Sequence, residues 1–140
     1  MRYMMIVKAS PSSEKGIMPT AEQFACMGAY NEELSKAGVL VDLSGLQSTA
    51  HGLRIKFDGG KKTVIDGPFA ESKELIAGYW IINVKSPEEA RAWALKAPNP
   101  APDGEPGEIE LRRFFEPEDF PSELVEGVKD LDYANKLKRP

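Results

Sequence analysis

The order of predicted elements places this chain in the α+β class, with a ferredoxin-like βαββαβ core and an inserted β-hairpin. Three observations carry that expectation. Apolar, β-branched and aromatic residues concentrate in short segments near 2–9, 39–43, 78–84 and 109–114. Two helical segments begin at capping signals, at Thr20 and at Ser86. Between the second and third core strands, Asp58-Gly59-Gly60 separates two further strands in the manner of a tight hairpin.

Residues 2–9 read as a buried strand and residues 10–19 (SPSSEKGIMP) as a loop. Thr20 caps the first long helix, and Gln23 closes a capping box with it. Phe24, Met27 and Leu34 recur at helical spacing with Tyr30 beside them, Glu32 and Lys36 pair at i,i+4, and Gly38 ends the helix in the left-handed region. Val39 to Leu43 form the second strand. Leu53 to Phe57 alternates apolar with basic residues, the pattern of a half-exposed strand, and Lys61 to Ile65 returns from the hairpin turn. Gly78 to Val84 is the strongest strand. Ser86, Pro87 and Glu89 are the cap, first position and capping box of a helix whose apolar face is Ala90, Trp93, Ala94 and Ala97. Residues 98–107 hold four prolines and two glycines and form a loop, and Ile109 to Phe114 is the last strand. An acidic, proline-interrupted turn follows, and residues 122–137 are expected to form an amphipathic helix packed through Leu124, Val128 and Leu131. Residues 1–115 are thus expected to form one domain and 116–140 a helical extension.

Bulk composition narrows the function. A chain of 140 residues with 41% hydrophobic and 29% charged residues suits one soluble globular domain. A net charge of -4 without a basic block disfavours nucleic acid, which needs clustered Lys and Arg. No run approaches the ~18 apolar residues of a membrane span. The N-terminus is too short and too soon polar for a signal peptide. One cysteine, Cys26, and one histidine, His51, argue against a zinc site of soft ligands and fit a reducing cytoplasm. No GxSxG, Walker or GxGxxG pattern is present.

The densest chemistry lies in Asp66-Gly67-Pro68-Phe69-Ala70-Glu71-Ser72-Lys73-Glu74, three carboxylates and a lysine around a constrained turn between two strands. This DGPFAESKE segment resembles the DGPF branch of the YCII-related domain family. The resemblance spans roughly residues 1–115. It is carried also by the opening strand, Met27-Gly28 and Tyr30, Ala37-Gly38, Gly78-Tyr79, and Glu110 with Arg112. It implies a small bacterial protein similar in fold to the dimeric α+β barrels, in which sheets of two copies pack together. The uncovered apolar sheet face expected from the pattern independently points to such a homodimer. Another branch of the wider family is thought to be enzymatic through a His–Asp pair. Its histidine lies in the first helix, where this chain places Met27, so a histidine-dependent mechanism does not carry over.

The candidate residues each have two readings. Asp66 is a catalytic or ligand-binding carboxylate at a pocket mouth, or it accepts backbone N–H groups within its own turn, with Gly67 and Pro68 setting the backbone. Glu71 and Glu74 share a face for proton transfer or cation binding, or they are a solvated acidic turn balanced by Lys73. Met27 and Tyr30 line the boundary of helix and sheet as core or as a pocket wall. Arg112 meets an anionic ligand or pairs with Glu110. His51 reads as an exposed polar residue and Cys26 as a small hydrophobe within a helix. The leading expectation is a dimeric, cofactor-free small-molecule-binding protein with a pocket between the first helix, the sheet and the DGPFAESKE loop. Asp66 and Glu71 are its candidate catalytic residues. Met27, Tyr30, Gly67, Pro68, Phe69, Glu74 and Arg112 are its candidate ligand contacts. Two alternatives stand beside it: an enzyme using Asp66 or Glu71 as general acid or base on a small organic substrate, and a purely structural dimerisation module.

Overall fold

Apolar alternation builds the central sheet, and the computed structural model of the chain describes residues 1–101 and 104–136. Strand β1 (Arg2–Lys8) leads to a short helix α1 (Pro11–Glu14) and the long helix α2 (Ala21–Lys36). Then come β2 (Leu40–Gly45), the hairpin β3 (Leu53–Asp58) and β4 (Lys61–Asp66), and β5 (Ile76–Asn83). Helix α3 (Pro87–Lys96), β6 (Ile109–Arg113), α4 (Ser122–Glu126) and α5 (Asp132–Lys136) complete the order. The main sheet is antiparallel in the order β2-β5-β1-β6, the ferredoxin-like arrangement that the pattern predicts. Within one chain this sheet stays open. The hairpin strands pair only with each other, as a separate two-stranded sheet.

Strand periodicity divides the main sheet into two faces. Tyr3, Met5, Trp80 and Ile82 are buried on the face that meets α2 and α3, with Leu34 and Ala90 filling the layer from the helices. Cross-strand pairs Met4 with Ile81 and Ile6 with Tyr79 occupy the opposite face and are half-buried. Tyr30 joins both helices to the sheet. Its ring meets Trp80 edge-on at 5.4 Å, and its hydroxyl donates to the Trp93 carbonyl at 2.6 Å.

Local chemistry sets the helix ends. Thr20 and Gln23 form the expected capping box. At the other end the Val39 amide donates to Leu34 O and the Gly38 amide to Ser35 O, a Schellman pair closed by Gly38 at φ 74°. In α3, Ser86 accepts from the Glu89 amide, but Glu89 Oε2 accepts from Lys85 N, one residue before the cap, so the box is half made.

Several expectations are corrected. The 10–19 segment contains α1, because Ser10 and Ser13 form a capping box ahead of Pro11. Phe24 is 72% exposed. Each step of three residues turns about 60° short of a full rotation, so Phe24 lies about 120° from Tyr30 and off the buried stripe. Cys26 is exposed rather than buried. Strand β3 is exposed on both faces instead of one. The helix expected over 122–137 is broken into α4 and α5 by a turn at Gly127, with Leu124 and Leu131 exposed; its last residue lies outside the described residues. What ties the extension down is Arg2, which grips the Glu116 carboxylate through Nε at 2.8 Å and Nη2 at 3.2 Å.

Tyr30→Phe leaves the Trp93 carbonyl without its donor and lowers unfolding free energy by about 1–3 kcal/mol in denaturant titrations. Burial, assisted by the Glu33 charge, pushes the Tyr30 phenol up to about 12 from an ordinary 10.0. The neutral phenol therefore stabilises the fold fully below pH 10.0, and that contribution drains away as pH rises toward 12. Wild type should lose stability more steeply than Tyr30→Phe across that interval. At the acid end, the Ser12 hydroxyl donates to Glu105 Oε1 at 2.7 Å and holds this carboxyl below the usual glutamate value of 4.5. Its contribution is present above 4.5 and is lost as pH falls through the depressed value. Glu105→Gln should flatten that part of the profile of Tm against pH.

Candidate functional site: the cleft beside the DGPF turn

Strand β4 delivers the chain to Asp66, and the turn that follows is held from outside itself. The Gly67–Pro68 peptide is cis. The Gly67 amide donates to Gly52 O at 3.0 Å, extending the hairpin ladder beyond the Leu53–Asp66 pair. A Cβ at Gly67 would sit 1.7 Å from the Thr49 carbonyl oxygen, so only glycine fits this approach. The Phe69 amide donates to Thr49 Oγ1 at 3.0 Å. Thr49 in turn donates from its hydroxyl to Glu14 Oε2 at 2.5 Å and from its amide to Glu14 Oε1 at 3.1 Å. Both oxygens of a half-buried carboxylate at the end of α1 thus fix Thr49, and Thr49 fixes the turn.

Beyond Phe69 the chain makes a single 3-10 turn (Ser72–Glu74), with the Glu74 amide donating to Glu71 O at 2.9 Å. Leu75 is buried, and its carbonyl accepts from the Ala9 amide at 2.9 Å, which anchors the turn to the end of β1. Phe69 is half-buried, and the Arg54 guanidinium lies over its ring at 3.8 Å from the centroid.

These contacts border an open cleft of about 480 Å³ between the Leu46–Arg54 segment and the turn. Gln47, Ser48, His51, Arg54 and Glu74 give it polar edges, and Phe69 gives it an aromatic wall. Among the described residues no carboxylate pairs with Arg54. The guanidinium therefore presents a free edge, its face already supported by an aromatic ring. A smaller crevice of about 220 Å³ opens between α2 and the β2–β5 edge, where Met27, Asn31, Leu43 and Trp80 meet. Its polar element is partly used, since Asn31 Oδ1 accepts from Trp80 Nε1 at 2.7 Å.

The single pocket expected between first helix, sheet and loop is therefore two separate depressions. Phe69 and Glu74 line the larger one, and Met27 lines the smaller. Gly67 and Pro68 shape the turn. Asp66 and Glu71 are exposed and outside both linings, and the turn's amide bonds go to Thr49 and Gly52 instead of the Asp66 side chain. Tyr30 belongs to the core. Arg112 pairs with Glu110 at 3.2 Å on the sheet face turned away from the helices. His51, read as an exposed polar residue, stands on the cleft wall. Glu14, Thr49 and Arg54 were not among the expected site residues. The basic alternation of 53–57 was the only sequence signal for Arg54, and nothing local marks Glu14 as a partner of Thr49, 35 residues away. Among the described residues no three His, Cys, Asp or Glu side chains gather as a cation site would require.

The close approach at Gly67 yields a paired test. Gly67→Ala forces the Thr49 backbone away and should destabilise by about 1–3 kcal/mol, as overpacking does. Gly28→Ala, in an exposed stretch of α2 with nothing within 4 Å of its added methyl, should instead stabilise by up to about 1 kcal/mol. Denaturant midpoints of the two variants, run side by side, check both signs.

The same span is recognisable by comparison. The model of the YCII-related domain matches residues 1–116, which contain the whole main sheet, the hairpin and the cleft. An uncharacterised protein of Rhizobium meliloti (strain 1021) is 29% identical over 96 residues, covering 69% of this chain and 77% of the relative. Among the described residues no helix is long and apolar enough to cross a membrane. Sheet order, the DGPF turn and the matched span agree, and the chain belongs to the YCII-related domain family.

Proposed function

We propose that this protein binds a small organic anion in the cleft between the Leu46–Arg54 segment and the DGPF turn. The observation that carries the reading is Arg54: a cation stacked on Phe69 at 3.8 Å, facing a cleft of about 480 Å³, with no carboxylate of the described chain to neutralise it. Arginine in that setting offers a planar fork of donors to a carboxylate or phosphate. The ring behind it limits the fork's motion, which lowers the entropy cost of capture. Glu74 and His51 add an acceptor and an imidazole at the rim, so a ligand that carries a donor besides its anionic group suits the cleft best.

The protein acts in this reading as a cytoplasmic homodimer joined through the sheet face that carries Met4, Ile6, Tyr79 and Ile81. The half-burial of those side chains in one chain supports it. Asp66 and Glu71 lie outside the cleft lining, which favours binding over acid–base catalysis by either carboxylate.

Ligand-observed NMR against a panel of small aliphatic and aromatic carboxylates and phosphates tests the proposal. Arg54→Met keeps the stem and removes the charge-assisted bonds, worth about 1.5–3 kcal/mol. It should weaken any bound member roughly 10- to 100-fold, with the fold's Tm unchanged. Retained affinity in Arg54→Met, or no binding by any member, would sink the reading.

A further inference from the structure

The β3–β4 hairpin carries an apolar face that its own chain leaves uncovered. Register sets Leu53 opposite Asp66, Ile55 opposite Val64 and Phe57 opposite Lys62. Alternation along the strands puts these six side chains on one face, and Arg54, Lys56, Asp58, Lys61, Thr63 and Ile65 on the other. The second face turns toward the DGPF turn: Arg54 lies over Phe69, and Ile65 is the one half-buried residue of the two strands. The first face turns away. Leu53, Ile55, Phe57 and Val64 are between 49% and 71% exposed there, a contiguous apolar patch on a sheet that pairs with nothing else in the chain.

The two charges on that face decide what covers it. Lys62 and Asp66 lie on one strand, four residues or about 13 Å apart, with Val64 midway between them. Leu53 and Phe57 flank Ile55 on the facing strand in the same way. Among the described residues neither Lys62 nor Asp66 takes part in an ion pair. Lys62 Nζ instead stands 5.5 Å from the centre of the Phe57 ring. A twofold axis that crosses both strands at the Ile55–Val64 pair exchanges the two ends of the face. It sets Lys62 against the partner's Asp66, Asp66 against the partner's Lys62, and Leu53 against the partner's Phe57. Ile55 and Val64 meet their own counterparts on the axis. Every apolar side chain then faces an apolar one and each charge faces its opposite, so the face is complementary to itself.

We infer that two copies of this protein pack hairpin on hairpin through this face, about the axis at Ile55 and Val64. The contact is isologous, as a twofold interface must be. The two small sheets lie about 10 Å apart with their strands roughly aligned, the ordinary geometry of sheet-on-sheet packing. Four apolar side chains from each copy form its centre, and the two Lys62–Asp66 pairs fix its register. A shift of two residues along the strands would leave both charges facing apolar groups. The contact uses a sheet of its own, so it is separate from the sheet-to-sheet packing of the four-stranded sheet. Leu53 also lines the cleft, so the partner's Phe57 stands at one margin of it. Asp66, which lies outside the cleft lining, gains a role as one half of the registering pair.

Chemical crosslinking of the full chain tests the inference. The exposed Cys26 is first removed by Cys26→Ser, and single cysteines are then introduced by Ile55→Cys, Val64→Cys or Lys56→Cys. A short bis-maleimide should join two copies at residue 55 and at residue 64, which lie on the axis, and at least about tenfold less at residue 56, on the far face. Charge reversal supplies the second arm, carried out on the Ile55→Cys chain. Lys62→Asp alone sets Asp against Asp, and Asp66→Lys alone sets Lys against Lys, so each should lower the yield at least about tenfold. An equal mixture of the two should recover it, because each reversed charge again meets its opposite. The double exchange, Lys62→Asp with Asp66→Lys, should recover it without mixing. Equal crosslinking at residues 55 and 56, as edge-to-edge pairing of the hairpins would give, overturns the inference. So do the absence of a product at residues 55 and 64, single reversals that keep the yield, and reversals that fail to recover on mixing.

Discussion

One threonine hydroxyl organises the end of the molecule that carries the DGPF turn. Thr49 Oγ1 donates to Glu14 and accepts from the Phe69 amide, using both capacities of the group at once. Through it, three segments remote in sequence share one geometry: the end of α1, the turn before β3 and the turn after β4. Acceptance by an ionised carboxylate makes the Thr49 bonds stronger than neutral ones. They also polarise the hydroxyl toward the amide it accepts from. The position of Phe69, the stacking of Arg54 on it and the width of the cleft all follow from where Thr49 is held. Gly67 records the cost of that arrangement, since the backbone of the turn passes too close to the Thr49 carbonyl for any side chain.

The core solves a different problem by a similar device. Two helices of modest apolar content must sit at fixed positions on one sheet face. Tyr30 does this with ring and hydroxyl together: the ring packs on Trp80 and the hydroxyl crosses to the backbone of α3. A leucine there would contribute comparable area but no tie between the helices. The rigid layer so formed carries the ends of β1 and β5, and these in turn anchor the DGPF turn through Ala9 and Leu75.

The fold was legible in the sequence because its signals are local. Capping at Thr20 and Ser86, the left-handed Gly38 and the Gly59-Gly60 hairpin turn each act within a few residues, and each appears in the structure. The failures have physical reasons as well. Phe24 fits helical spacing, yet accumulated steps of three carry it away from the buried stripe. Gly127 interrupts a helix that periodicity alone would continue. Of the candidate residues in the DGPFAESKE segment, Phe69 and Glu74 line the cleft. The DGPFAESKE segment does rim the cleft, but its most conspicuous carboxylates, Asp66 and Glu71, lie outside the lining. Glu14 and Thr49, which set the geometry, look like ordinary loop residues. Their roles come from contacts 35 and 20 residues apart, which no local pattern encodes.

A cleft held by a hydrogen-bonded relay is formed without a ligand, which supports the proposed capture of a small anion over closure around it. The claim beneath that view is that Thr49 holds the turn in place. Amide hydrogen exchange of Phe69, in wild type and in Thr49→Val, tests it most directly. Valine keeps the shape and removes the hydroxyl. The account predicts that Phe69 exchange accelerates at least about tenfold, the equivalent of one hydrogen bond of about 1.4 kcal/mol, while Trp80 and Ile82 in the core are unchanged. Unaltered protection at Phe69 would contradict it and would leave the position of the turn to Gly67 and Leu75 alone.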